Sequence, residues 1–121
     1  MSTVPNKFMI YHNHRSEPYF TFLKNGQKTI EGRVRKGKYC KIKPGDEIIV
    51  YNEKETDSIK TLVIRVDRYQ SIREMLKNKS IKKILPNTNS IGQAIKVYRK
   101  LYTPEQEKHF GMVAIEIEVK L

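Results

Sequence analysis

The chain has 121 residues, 38% apolar and 31% charged, with 24 Lys and Arg against 13 Asp and Glu for a formal charge of +11. That length fits one domain with a single core, and the composition excludes a disordered chain. No apolar run reaches the roughly 18 residues of a bilayer span, residues 1–6 lack a secretory core, and a single cysteine, Cys40, excludes an internal disulfide framework, so an intracellular, reduced setting is expected.

Residues 7–13 are rich in β-formers and read as a first strand. Ser16-Glu17-Pro18 opens a short helix with Ser16 as cap, Tyr19, Phe20, Phe22 and Leu23 as apolar groups and Asn25-Gly26 as its stop. A second strand over residues 28–34 carries Lys28, Glu31 and Arg33, with Ile30 on the opposite face, and predicts a polar cleft rather than core. Residues 35–43 form a basic connection, and Pro44-Gly45-Asp46 a turn before a third strand over 47–52. Residues 58–69 alternate as a fourth strand, with Ile59, Thr61, Val63, Arg65 and Asp67 opposite Lys60, Leu62, Ile64, Val66 and Arg68. Apolar residues on both faces predict cover on both sides at its middle.

Ser71 and Glu74 have capping-box spacing ahead of a helix with Met75 and Leu76, and Ile81, Ile84 and Leu85 predict a further turn before Pro86. Ser90 caps a helix marked by Ile91, Ala94, Ile95, Tyr98, Leu101 and Tyr102. Thr103-Pro104-Glu105-Gln106 is a second capping box, and residues 112–119 alternate as a last strand with Val113, Ile115 and Ile117 opposite Glu116 and Glu118. The expectation is one α+β domain over residues 1–121, with a helical insertion at about 71–109.

From Lys28 to Lys43 seven cations face one acid, Glu31, for a local charge of +6. Glycines and Tyr39 among them suit an RNA-backbone clamp with a stacking face. A second set, Lys77, Lys79, Lys82, Lys83, Lys96, Arg99 and Lys100, reads better as a solubilising helix face. Lys28, Glu31 and Arg33 fit both a structural ion-pair ladder and a ligand-contacting role. Tyr98 and Tyr102, four apart, read as packing groups with hydroxyls at the rim, base stacking being the lesser reading. His12, His14 and His109 lack partners for a metal, Cys40 has no catalytic companion, and the glycines match no nucleotide fingerprint, so neither metal nor cofactor is expected.

Pro18-Tyr19-Phe20 with Leu23, the run Gly26-Gln27-Lys28-Thr29-Ile30-Glu31-Gly32-Arg33, Gly45-Asp46 before Glu47-Ile48-Ile49-Val50, and the closing Gly111-Met112-Val113-Ala114-Ile115 together resemble the activating signal cointegrator homology (ASCH) domain of the PUA-like group. The resemblance runs over nearly the whole chain. It implies a small β-barrel of five to six mostly antiparallel strands with helices at its openings. It also implies an RNA binder that holds an unpaired or modified nucleotide in a basic cleft. In that reading Lys28 and Arg33 contact phosphate or base edge and Glu31 accepts from an exocyclic amine. Lys24, Thr29, Arg35, Lys36, Lys38, Tyr39, Lys41, Lys43 and Tyr98 lie along the nucleic acid.

The alternative it implies is an enzyme in the same cleft: an amidohydrolase on N-acetylated cytidine, or an RNA phosphodiester hydrolase, with Lys28 activating and Glu31 as general base. The family's amidohydrolases read Lys-Thr-Ile-Thr on this strand, so Glu31 replaces the second threonine. Glu105 and Glu107 are the candidates for their later glutamate. Expected partners are single-stranded or modified RNA, with single-stranded DNA and proteins of RNA metabolism behind it, and no membrane.

Overall fold

The structure, a computed structural model, describes residues 7–120; residues 1–6 and 121, including the start read above for a secretory core, lie outside the described residues. The elements run β1 (Ile10–Arg15), α1 (Tyr19–Lys24), β2 (Ile30–Val34), a 3-10 turn (Gly37–Cys40), β3 (Glu47–Asn52), β4 (Ser58–Tyr69), α2 (Ile72–Asn78), α3 (Ile81–Ile84), α4 (Ile91–Arg99), α5 (Pro104–Phe110) and β5 (Met112–Val119).

The strands form one sheet in the order β1-β3-β4-β5-β2, with β1 and β3 parallel and the other three pairs antiparallel. It curls into a half-barrel, the five-stranded α+β architecture that the sequence predicts. Burial divides the apolar residues between its two faces. On one, Phe20 and Leu23 of α1 meet Ile48, Val50, Ile59, Val63, Val113, Ile115 and Ile117. On the other, Ile30, Val34, Met112 and Ala114 are covered by Met75, Leu76, Ala94 and Tyr98 from α2 and α4. The α2–α5 segment therefore closes the second face of the sheet.

Three expectations about the strands change. β1 starts at Ile10 rather than residue 7 and runs on to Arg15. In front of it, Met9 N donates to the Asp46 carboxylate at 2.9 Å while Met9 O accepts from Glu47 N, so the ladder begins at the Pro44-Gly45-Asp46 turn. β2 starts at Ile30, because Lys28 N donates to Phe22 O and Thr29 N to Lys83 O. In β4 the register slips between Val63 and Arg65, and Ile64 is half exposed. The extra residue reverses the facing of the strand. Ile59, Thr61 and Val63 are buried before the slip and Val66 packs on the same core after it, so apolar residues in both alternations serve one face.

Local caps explain the helix starts. Ser90 Oγ accepts from Gln93 N, and Thr103 and Gln106 form the reciprocal capping box with Pro104 in the first turn. Ser71 Oγ accepts from Glu74 N, while the Glu74 carboxylate takes Gln70 N. Ser16 does not cap α1; its carbonyl accepts from Phe20 N, and the Glu17 carboxylate takes Thr21 N instead.

Candidate nucleic-acid interface

The sheet's two edge strands, β1 and β2, share no ladder among the described residues. Side chains bridge the seam. Glu31 and Arg33 stand opposite Ile115 and Val113 across the β2–β5 pair, and the Arg15 guanidinium crosses from the end of β1 to donate to Glu31 Oε2. The same oxygen accepts from Arg33 at 3.2 Å, and Glu31 Oε1 lies 3.2 Å from Lys28 Nζ. Lys28 also donates to Ile30 O at 2.7 Å and to Ile84 O, joining α3 to β2.

These groups are out of water. Side-chain exposures are 15% for Arg15, 11% for Arg33, 5% for Glu31 and 3% for Lys28. The expectation of a polar strand open to a cleft is thus met only in part: the charged heads form the cleft's floor and are mostly buried in it. Burial, outweighing Glu31, lowers the Lys28 ammonium to about 8. Burial would raise the Glu31 carboxyl, but Arg33, Arg15 and Lys28 together hold it well below the usual carboxylate range. Burial likewise works against the Arg33 charge, which Glu31 more than restores. Arg15 Nε is buried without a hydrogen-bond partner.

Above this floor is a cleft of about 540 Å³. Tyr19 of α1 forms one wall; Leu85, together with Val97 and Tyr98 of α4 and with Leu101 and Tyr102 just past its end, forms the other. Tyr98 and Tyr102 stack with planes 14° apart and centroids at 6.4 Å. Burial pushes the Tyr98 phenol up from its ordinary pKa. Its hydroxyl lies where a Gly32 Cβ would be, 2.4 Å from that position, so the bare backbone at Gly32 makes room for the ring. One face of the cleft is cationic and the other aromatic and apolar.

The basic loop read from the sequence disperses. Lys28, Glu31, Arg33 and Tyr98 meet in the cleft. Tyr39 stands beside it, its ring 5.8 Å from the Arg33 guanidinium and 5.7 Å from Lys38 Nζ. Lys38 Nζ donates to His12 O at 2.7 Å, a second tie across the seam, and its pKa is lowered by desolvation and then by Arg33 and Arg15. Lys36 lies over the Phe110 ring, and Arg35 lines a separate groove. Lys43 pairs with Asp46 at 2.8 Å, Lys41 is exposed, and Lys24 pairs with Asp57 at 2.5 Å. Thr29 shares with Lys24 a shallow surface by β5.

Sequence reasoning missed Arg15, Tyr19 and Leu101 as cleft residues, gave Tyr102 base stacking only as the lesser reading, and placed Lys100 among solubilising lysines. No local pattern marks Arg15, since its role arises only when two sheet edges meet. The rest of that second set is partly paired: Lys79 with Asp67 and Glu116, Arg99 with Glu107. Glu107 also accepts from Ile72 N, and neither it nor Glu105 lines the cleft. His12 contacts Tyr51 and His14 contacts Glu55. Among the described residues no group of His, Cys, Asp or Glu is placed to hold a metal ion, and no helix is long and apolar enough to cross a membrane.

Two solved structures are similar over nearly their full length. The crystal structure of hypothetical protein PH0355 is 39% identical, with 93% of this chain and 100% of that chain covered and a TM-score of 0.82. The solution NMR structure of protein PF0455 from Pyrococcus furiosus is 37% identical, with 92% and 97% covered and a TM-score of 0.74. No curated protein matches. The family model for the ASCH domain matches residues 14–120, from β1 to the end of β5, and the chain belongs to the ASCH domain family.

Proposed function

We propose that the protein binds RNA and holds an unpaired or modified nucleotide in the cleft between β1, β2 and α4. One observation carries this reading: three largely buried cations, Arg15, Lys28 and Arg33, share a single carboxylate. Charge of one sign is costly to bury without a counterion. A surplus of two positive charges beneath an open cleft therefore calls for an anion, and a phosphate matches the guanidinium geometry. Tyr19, Tyr98 and Tyr102 supply the apolar wall against which a base can lie. The overall charge of +11 and the family's typically RNA-binding character support the same partner.

The geometry favours a different role for Glu31: both its oxygens are engaged by cations, which supports organising the floor over accepting from a base amine. It also lends little to the hydrolase alternative. Lys28 has three partners for its three hydrogens, and a carboxyl held well below its normal range is a poor general base.

The test is binding of a short fluorescent single-stranded RNA, titrated against salt, with Arg33→Gln beside the wild type. Steep salt dependence and a loss of about tenfold or more in the variant are expected. Equal affinity in a folded variant removes the nucleotide from this cleft.

A further inference from the structure

On the other side of the same strand end is a groove that the reading above leaves unused. It holds about 700 Å³ and is lined by Arg35, Arg68, Lys108, His109, Phe110 and Glu74, among others. It forms where β2 and β4 end and β5 begins: Arg35 N donates to Gly111 O at 3.0 Å, and Arg68 stands opposite Val113. Gly111 sits at φ +71°, and a Cβ there would come 2.9 Å from Tyr69 O. The backbone is thus drawn tight enough to bring α5 and the end of β4 against one another, which places cations from three elements around one hollow.

The charge of this groove is positive on balance: Arg35, Arg68 and Lys108 outnumber Glu74. Among the described residues, Arg35, Arg68 and Lys108 enter no salt bridge, unlike Arg15, Arg33, Arg65 and Arg99. Of the nearby carboxylates, Glu107 is paired with Arg99 and takes Ile72 N, while Glu74 takes the neutral Gln70 N and keeps its charge at the groove's edge. Phe110 presents a half-buried ring with Lys36 Nζ 5.4 Å from its centroid. Arg33 in the cleft and Arg35 in the groove flank Val34, the last residue of β2, with their backbones about 6–7 Å apart, so a strand of nucleic acid that rounds this strand end can reach both.

We infer that this groove is a second RNA contact, which takes the phosphate backbone flanking the nucleotide held in the cleft. It rests on the RNA-binding reading of that cleft. Phosphate contacts of this kind position the nucleic acid without reading its sequence, and each neutralised phosphate adds to the salt slope.

The experiment compares a trinucleotide with a 12-nucleotide single-stranded RNA on the full chain, using Arg68→Gln/Lys108→Glu and, separately, Arg33→Gln. Both groove positions are exposed, and thermal melts establish that each variant folds. The groove variant is expected to bind the 12-mer at least tenfold more weakly, with a salt slope shallower by about 2, and the trinucleotide as wild type does. A 12-mer affinity and slope equal to wild type overturn the groove while leaving the cleft standing. Loss in the groove variant without loss in Arg33→Gln overturns the cleft reading and keeps the groove as an RNA surface. Failure of the wild type to bind either RNA overturns both.

Discussion

Lys28 and Glu31 meet inside the protein, Nζ to Oε1 at 3.2 Å, three residues apart but not on a helix. They come together because the backbone of Lys28 leaves the sheet to bond Phe22 O, so its side chain folds back along β2 toward the carboxylate. That return joins α1, α3 and both sheet edges through one ionic cluster, and the first two predictions follow from it.

Glu31→Gln removes the only carboxylate among three cations without changing the shape of the side chain. Breaking a buried pair on one side costs about 3–5 kcal/mol, most of it from charges left unpaired. A fall of that size in unfolding free energy is expected in urea. A change below about 0.5 kcal/mol would show that the cluster is hydrated and not a structural element.

The pH behaviour has two opposed signs. The folded state lowers Lys28 from 10.5 to about 8. Between those values the unfolded chain binds more protons at this site, so its contribution makes stability rise with pH across that window. Anion binding moves the other way, because the cleft loses one cation as pH climbs through about 8. RNA affinity measured from pH 7 to 9 is expected to fall several-fold in the wild type and to stay level in Lys28→Arg, which remains charged throughout. Parallel profiles for the two proteins would remove Lys28 from the electrostatics of binding.

Gly32→Ala places a methyl group against the Tyr98 hydroxyl and the Met75 terminus, both under 3.0 Å from the new carbon. Met75 can swing away, but the Tyr98 ring is held in α4. Destabilisation of about 1–3 kcal/mol is expected, as for other overpacked sites, along with weaker RNA binding as the aromatic wall shifts. Calorimetry and the fluorescent titration check the two effects separately. A variant as stable and as tight as wild type would mean that α4 moves freely.

Asp46 is fully buried, and its carboxylate accepts from Met9 N at 2.9 Å, Lys43 N at 2.9 Å and Lys43 Nζ at 2.8 Å. Burial would raise its pKa, but Lys43 and the backbone donors lower it on balance. Its contribution to stability is therefore present above the ordinary aspartate value and lost as pH falls through the folded one. Asp46→Ala leaves two backbone donors unmet and is expected to cost at least about 2 kcal/mol. Urea midpoints at pH 7 and pH 3 should differ less in the variant than in the wild type. An equal acid dependence would place the sensitive group elsewhere.

How much of this was readable before folding depended on the range of the signal. β4, from Ser58 to Tyr69, matched at both ends, and α4 at its Ser90 cap, because alternation and capping are local; the helical spacing ran on to Tyr102, past the observed end at Arg99. The Gly45-Asp46 pair was recognisable as a turn and as a family element, while its anchoring of Met9 was not. The slip at Ile64 was invisible, since an alternating run looks the same whether it serves two faces or reverses once. The candidate site was legible as a set of residue types around Lys28, Glu31 and Arg33. Its geometry was not, because Arg15, Tyr19 and Tyr102 enter only where distant elements converge. Counting cations along residues 28–43 overstated the cleft, for charges adjacent in sequence leave a curved strand end in different directions.

The order of the strands has a consequence for how the protein is made. Among the described residues β2 is paired only with β5, so that Ile30 finds Glu116 and Val34 finds Met112 across some eighty residues of intervening chain. A nascent chain still lacking that stretch on the ribosome can hold β1, β3 and β4 together but has nothing to receive β2. Its three cations and their carboxylate then stay in solvent, unable to build a floor. Synthesis runs at about 5–20 residues per second, so for several seconds the nascent chain carries β2 without its partner, and a polypeptide released before residue 112 leaves the ribosome basic but without a formed cleft.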